Sequence, residues 1–275
     1  MSYFRALGLE KEPFSTSPDP QFFFHSASHT TALKRLEIAI RLRRGLCIVL
    51  GDVGTGKTTL SRTLLQTFKD ENDFIFHMIL DPSHKSEFQF LSSLVKMFGI
   101  TPEFKSTIDF KEALEKHLFQ KGVEENKTIV LLIDEGQKIT QENLEVLRTL
   151  LNYETNEYKL LQLIIMAQIE LLPRIKRIRN FLDRVALKYT INPLDEKEVK
   201  EMIEFRLYQA GLRNGKLLFT DEAMHLIYYY TQGYPRKIAM LCHDALEALV
   251  MNDAPIVDQD IITGLIRSRE EGNGK

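Results

Sequence analysis

The stretch LCIVLGDVGTGKTTL, residues 46–60, decides the fold of this chain of 275 residues. Its five leading apolar residues predict a buried strand. Directly after them, Gly51-x-x-x-x-Gly56-Lys57-Thr58 matches in full the pattern of a phosphate-binding loop between a strand and a helix. Glycines let the loop point its N–H groups at phosphate oxygens, and the following helix N-terminus adds a partial positive charge. The stretch therefore predicts a nucleotide-binding α/β fold.

Each residue type in this loop has a chemical task. Lys57 is expected to reach the β- and γ-phosphates, and the hydroxyl of Thr58 to ligate Mg²⁺. Small-molecule kinases, GTP switches and ATP-driven assembly machines all use such a loop, so it leaves the class of protein open. The residues predicted to contact the nucleotide are Gly51, Asp52, Val53, Gly54, Thr55, Gly56, Lys57, Thr58 and Thr59.

A second motif, IVLLIDEGQKI at residues 129–139, narrows the class. Asp134 ends an apolar strand at the carboxyl edge of the sheet and can hold magnesium there. Glu135 can polarise a water molecule for attack on the γ-phosphate. A GTPase should carry Asn-Lys-x-Asp, but the nearest match, NKTI at 126–129, lacks the Asp and precedes the strand. A small-molecule kinase has no need of a Glu directly after the strand Asp, so ATP hydrolysis fits best.

Two polar residues extend the predicted site. Gln168 ends the apolar strand LQLIIMAQ, where its amide could reach the γ-phosphate or the attacking water. Arg236 lies in the first turn of a helix that begins with Pro235. A cation is unfavourable at a helix N-terminus, so Arg236 needs an anionic partner, and a nucleotide phosphate would serve.

The pattern of apolar segments predicts the architecture. Five strand-like segments alternate with helical ones, which predicts an α/β fold with a five-stranded parallel sheet and helices on both faces. Near residue 193 the strand signals stop, so we expect a P-loop ATPase domain at 1–193 and a helical lid at 194–275. The first 25 residues are rich in Phe and Pro, and we expect this segment to wrap onto the α/β domain. The lid helices are predicted at residues 196–209, 221–231, 235–251 and 258–269.

Charge, cysteine content and apolar runs indicate the cellular environment expected for the protein. The formal net charge is -2, which does not favour a uniform polyanion-binding surface. Cys47 and Cys242 stand far apart, as expected of two buried thiols in a reducing compartment. The N-terminus lacks a signal-peptide pattern, and no apolar run approaches the ~20 residues that span a bilayer. We expect a cytoplasmic protein without direct membrane insertion, which reaches a membrane only through a partner.

The order of these motifs resembles the AAA+ ATPases, in particular their initiator-like branch. More closely, the chain is similar to the ExeA-type ATPases, the general secretion pathway protein A family. The resemblance covers nearly the whole chain. The family assignment is carried by YFRALGLEKEPFSTSPDPQFFFHSASHTTAL at 3–33 and LLNYETNEYKLLQ at 150–162. A further matching stretch is GYPRKIAMLCHDAL at 233–246. One departure is AQIEL at 167–171, where the family has GQPEL, so the turn after Gln168 should differ.

The resemblance implies further roles. It places Gln168 at the sensor-1 position, Arg236 at sensor 2, and an arginine finger at Arg184, with Arg179 as the alternative. Such a finger would reach the ATP of a neighbouring subunit, so the resemblance implies an ATP-dependent oligomer. The N-terminal segment would line the adenine pocket, with Phe14 and His29 as candidates. Some family members continue into a transmembrane segment and a peptidoglycan-binding domain. This chain ends after the predicted lid, so we expect no direct action on the cell wall.

Two classes of function remain open. In the first, Mg-ATP binding and hydrolysis drive oligomerisation or remodelling of a protein partner in secretion, pilus or envelope assembly. In the second, the chain is an ATP-dependent DNA-binding regulator of the transposition or replication-initiator type. Arg41, Arg43, Arg44 and the arginines at 174–184 would then contact DNA phosphates. The net charge of -2 argues against this class but does not exclude local basic patches.

Overall fold

A computed structural model describes residues 2–101, 106–213 and 217–273. Its internal contacts divide the chain into two compact units. The α/β unit comprises Ala27–Val53 and Leu60–Ile191, and the helical unit comprises Met1–Ser26, Gly54–Thr59 and Asn192–Lys275. In chain order the helices are α1 Tyr3–Ala6, α2 Ala27–Arg41, α3 Lys57–Thr67, α4 Glu87–Met97, α5 Thr107–Phe119, α6 Gln141–Leu150, α7 Leu171–Lys176, α8 Glu196–Gln209, α9 Asp221–Thr231, α10 Pro235–Met251 and α11 Gln259–Asn273.

The α/β unit is built on a parallel sheet, which confirms the predicted fold class. The described residues form five strands in the order β2-β3-β4-β1-β5. Every residue of β1, β3 and β4 is buried, whereas β2 and β5 lie at the edges and are partly exposed. A parallel sheet with a fully buried centre accounts for the continuous apolar runs in its three middle strands. The strands are β1 Leu46–Leu50, β2 Phe74–Ile79, β3 Thr128–Ile133, β4 Leu161–Ala167 and β5 Val185–Thr190.

Capping side chains explain where several helices begin. Ser86 caps α4 by accepting a hydrogen bond from the Gln89 amide, and Thr140 caps α6 through the Asn143 amide. A side chain at the N-cap satisfies an amide that has no partner within the helix. Helix α2 ends at Arg41, and Arg43 after it adopts a left-handed backbone with φ of 48°.

The helical unit packs α8 to α11 around one apolar core. Three of its helices have the predicted bounds, and α11 extends past the predicted end at residue 269. At the start of α8, the side chains and amides of Asp195 and Glu198 form a reciprocal capping box. Among the residues described, no helix is long and apolar enough to cross a membrane.

The N-terminal segment packs with the helical unit, whereas the sequence had assigned residues 1–25 to the α/β domain. Leu9, Phe14 and Phe22 are buried in the same apolar core as α8 to α11. The amides of Glu10 and Lys11 both donate to the carbonyl of Ala210. The Phe-rich composition correctly indicated burial but did not specify the surface that covers these rings.

Candidate functional site

The phosphate-binding loop follows β1 and leads into α3, which begins at Lys57. Gly54 and Gly56 have φ of +83° and +93°, a left-handed backbone that glycine adopts without strain. Thr55 between them is fully buried, and Lys57 is 7% exposed. This local structure fits a phosphate ligand, because left-handed loop residues turn successive amides to one side and α3 presents its N-terminus.

Arg236 is held next to this loop by the backbone of the helical unit. Its amide, in the first turn of α10, donates to the carbonyl of Gly54 over 3.2 Å. A Cβ atom at Gly54 would lie 3.0 Å from the Cβ of Arg236, so the loop glycine allows α10 to approach this closely. The Arg236 residue is exposed. The structure thus brings the predicted sensor arginine to the loop, while its role stays a prediction.

The turn before α10 depends on a second close approach. Gln232 and Gly233 both have left-handed backbones, with φ of 52° and 73°. The amide of Leu194 donates to the carbonyl of Gly233 over 2.9 Å. A Cβ atom at Gly233 would lie 1.9 Å from the carbonyl oxygen of Leu194, which no side chain can occupy. This glycine therefore joins the start of α10 to the chain just before α8.

The two predicted acidic residues lie at the carboxyl end of β3. Asp134 is 2% exposed, and its amide donates to the carbonyl of Ile79 at the end of the neighbouring strand β2. Asp134 Oδ1 accepts the amide of Glu135 over 2.9 Å. Glu135 has a left-handed backbone with φ of 52°, and its side chain is 38% exposed. A buried carboxylate followed by a more accessible one suits a metal ligand followed by a base.

Sequence reasoning missed Gln137, which connects these carboxylates to β4. Its Nε2 donates to Glu135 Oε2 over 2.8 Å. Its Oε1 accepts the backbone amide of Gln168 over 3.1 Å. Gln168 itself is half-buried at the end of β4, as predicted. The only signal in the sequence was a polar residue two positions after the predicted base.

The entry to the loop belongs to the same edge of the sheet. β4 lies between β3 and β1, so the carboxyl ends of these three strands are adjacent. The amide of Gly51 donates to the carbonyl of Ala167 over 3.1 Å, directly before Gln168. Ligands of open parallel sheets bind beyond this edge.

The candidate finger residues differ in their surroundings. Arg184 is half-buried just before β5 and donates from Nη2 to Asn152 Oδ1. Its Nε atom is buried and has no hydrogen-bond partner among the described residues. Arg179 is exposed, and its side chain makes no hydrogen bond or ion pair within the described part of the chain. The structure therefore holds Arg184 in place and leaves Arg179 at the surface.

The remaining candidates, Phe14 and His29, are both buried. Phe14 is 1% exposed and packs edge-to-face on Phe219, with ring centroids 6.1 Å apart, in the core of the helical unit. His29 is buried on α2 of the α/β unit. Both cysteines are free and buried, as expected, and burial raises the pKa of the Cys47 thiol to about 12.

Two of the arginines considered for DNA contacts are engaged within the α/β unit. Arg41 forms a bidentate pair with Glu71, at 2.7 and 2.8 Å, and this pairing raises the pKa of Arg41. Arg43 donates to Thr128 Oγ1 over 2.9 Å and lies over the ring of Tyr158. Both guanidinium groups therefore contribute to the fold of this unit, whereas Arg44 is exposed.

The chain is similar to known AAA proteins. An AAA domain model matches residues 40–175. The chain is 34% identical over 269 residues to general secretion pathway protein A of Aeromonas hydrophila. This match covers 94% of the chain and 47% of the relative, so the chain spans about half the length of that protein.

Solved structures of initiator proteins share the fold. The ORC2 protein of Aeropyrum pernix, solved as ADPNP–ADP complexes, superposes with a TM-score of 0.66 at 17% identity, over 92% of this chain and 70% of that one. A chain of Drosophila ORC bound to DNA gives 0.65 at 22% identity, over 96% and 65%. At these identities the similarity establishes the architecture alone. The shared architecture agrees with the resemblance to the initiator-like branch that the sequence implies.

Proposed function

We propose that this chain is an AAA+ P-loop ATPase related to general secretion pathway protein A, and that it binds and hydrolyses Mg-ATP to drive self-association and the remodelling of a protein partner. The observation that carries this proposal is the end of β3, where buried Asp134 is followed by the more accessible, hydrogen-bonded Glu135. The name of the relative supports a partner in a secretion or envelope-assembly system.

We assign each residue a role from its chemistry. The amides of the loop and the ammonium of Lys57 would bind the phosphates, and the Thr58 hydroxyl and the Asp134 carboxylate are the groups that would hold Mg²⁺. When bound, the metal would supply charge neutralisation at the phosphates. Glu135 accepts a proton from the attacking water, and Gln168 and Arg236 respond to the γ-phosphate.

The test of the hydrolytic role is phosphate release by Glu135→Gln. A general base contributes about 10²–10⁴-fold, so the variant should release phosphate at least about 100-fold more slowly at saturating ATP. It should bind a fluorescent ATP analogue as tightly as the wild type, because the substitution preserves size. The matched control is Glu124→Gln, which removes one exposed carboxylate just before the opposite end of β3. Equal rates for wild type and Glu135→Gln would exclude Glu135 as the base.

The test of self-association is the dependence of turnover on protein concentration. A finger supplied by a neighbouring subunit stabilises transition-state charge only when subunits meet, so turnover per subunit should rise with concentration. Arg184→Ala should abolish that rise, and Arg179→Ala should leave it in place. The opposite pattern would transfer the role to Arg179. Concentration-independent turnover that survives both substitutions would refute a finger in trans.

A second candidate function is ATP-dependent DNA binding, and one observation favours it. Lys176, Arg177 and Arg179 are exposed, and their side chains make no hydrogen bond or ion pair with described residues. Such cations are suited to phosphate contacts, whose affinity falls steeply with salt. A labelled duplex titrated with and without ATP at two salt concentrations tests this candidate. Absence of ATP-dependent, salt-sensitive binding would remove it.

A further inference from the structure

We propose that Gln137 is a positioning residue for ATP hydrolysis, which fixes the Glu135 carboxylate and joins it to the end of β4. This inference rests on the proposed function, because it assigns a task to Gln137 only if Glu135 is the base. Gln137 lies within the stretch IVLLIDEGQKI, but neither this motif nor the P-loop assigns it a role. The contacts of three neighbouring groups support it.

The first group is the Glu135 carboxylate. Its Oε2 receives the hydrogen bond from Gln137 Nε2 at 2.8 Å, while Lys138 Nζ lies 3.9 Å from the same oxygen. Glu135 Oε1 accepts no hydrogen bond from the described residues, so this oxygen is available to accept a proton from water. Engaging one oxygen by a fixed donor sets the direction of the other, which is what a general base requires.

The second group is the amide of Gln137, whose two ends are both used. While Nε2 donates to Glu135, Oε1 accepts the amide of Gln168. These two bonds fix which end of the amide is oxygen and which is nitrogen, because a flipped amide would face a donor with a donor. A residue with only a donor or only an acceptor cannot make both contacts. The position therefore needs a side chain that both donates and accepts, as the Gln137 amide does.

The third group is the loop backbone that carries Gln137. Arg174 Nη1 donates to the carbonyls of Gln137 and Ile139, at 2.8 and 3.2 Å. Gly136 packs so tightly on β4 that an added Cβ would lie 2.4 Å from Ile165 Cγ2. These contacts fix the backbone at residues 136–139, which in turn positions the Gln137 side chain.

The experiment compares Gln137→Ala with wild type and with Gln141→Ala, which removes an exposed amide at the start of α6 in the same segment. A hydrogen bond to a charged group corresponds to roughly a 10- to 100-fold change, so Gln137→Ala should lower kcat by that factor. Its KM for ATP and its affinity for an ATP analogue should stay at the wild-type values. Gln141→Ala should retain wild-type kcat.

A double variant separates positioning from general destabilisation. If Gln137 acts through Glu135, adding Gln137→Ala to Glu135→Gln should lower kcat by less than about twofold further, because effects of residues acting as a unit do not add. An undiminished further loss of kcat in the double variant would show a structural role and overturn the inference.

The pH profile gives an independent readout. Gln137→Glu places a second carboxylate against Glu135, and the two carboxylates should take up one shared proton as pH falls from 8 to 6. The ratio of the kcat of Gln137→Glu to the wild-type kcat should therefore rise over this pH range. Wild-type kcat in Gln137→Ala, combined with a large loss in Glu135→Gln, would refute the inference and leave the proposed function standing. If Glu135→Gln also keeps wild-type kcat, the proposed function fails first.

Discussion

The close approach at Gly233 provides a prediction whose magnitude follows from geometry. Gly233→Ala must place a methyl group where the Leu194 carbonyl lies 1.9 Å away, at a φ of 73°. The left-handed backbone costs alanine about 1–2 kcal/mol, and accommodating the methyl group costs about 1–3 kcal/mol. Loss of the hydrogen bond from the Leu194 amide to the Gly233 carbonyl costs about 1 kcal/mol more. The sum, about 3–6 kcal/mol, is a large share of the ~5–15 kcal/mol that stabilises a typical domain.

Two other glycines separate these contributions. Gly99 has a φ of 72°, but an added Cβ would meet nothing within 4 Å, so Gly99→Ala should cost only the backbone strain, about 1–2 kcal/mol. Gly264 lies exposed within α11 with no such contact and no positive φ. Gly264→Ala should therefore stabilise by about 0.5–1 kcal/mol, because alanine is the better helix former.

Thermal unfolding followed by far-UV circular dichroism measures all three variants. At roughly 2–4 °C per kcal/mol, Gly233→Ala should lower Tm by on the order of 10 °C, Gly99→Ala by a few degrees, and Gly264→Ala should raise it slightly. The comparison between Gly233 and Gly99 isolates the steric contact, since their φ angles are nearly equal. If the two variants unfold at the same temperature, the steric argument is refuted.

Two further predictions concern the α/β unit. Burial, helped by the nearby His117, lowers the pKa of His77 to about 4, so the unfolded chain takes up a proton first as pH falls. The free energy of unfolding should therefore fall below pH 6.5. The variant His77→Phe preserves stacking on Phe98, and its denaturant midpoint should fall less than that of the wild type between pH 7 and 5. An equal fall in the two midpoints would contradict this. Arg43→Lys should lower the free energy of unfolding in urea by about 1.5–3 kcal/mol, because lysine cannot reproduce the several hydrogen bonds of the guanidinium group or its contact with the Tyr158 ring. An unchanged free energy of unfolding would show that these contacts do not stabilise the fold.

Much of the fold could be predicted because its signals are local. The apolar strand before Gly51 and the turn chemistry at residues 233–235 lie within a few positions of the structures that they specify. Capping residues likewise set the start of α8 at the predicted place. The grouping of the N-terminal segment with the helical unit could not be predicted, because burial of Phe14 depends on Phe219, which is about two hundred residues later.

The candidate site shows the same division between motif and long-range contact. The positions of Asp134 and Glu135 followed from one strand, since a chain leaving a buried strand must reach the sheet edge. The hydrogen bond from Gln168 to Gln137 joins residues 31 positions apart, and no local pattern specifies it. The contact between Arg184 and Asn152 likewise crosses 32 positions.

The bonds that order the edge of the sheet are mostly neutral. Backbone amides of Gly51, Asp134 and Gln168 each donate to a carbonyl or amide oxygen of a neighbouring strand or loop. Exposed ion pairs are weakened by solvent and salt, whereas buried bonds between backbone groups are much less so. The backbone at this edge of the sheet is thus ordered by groups that retain their partners as ionic conditions change. The charged groups differ in exposure: Asp134 and Lys57 are buried, whereas Arg179 and Arg236 are exposed and accessible to a phosphate or a neighbouring subunit.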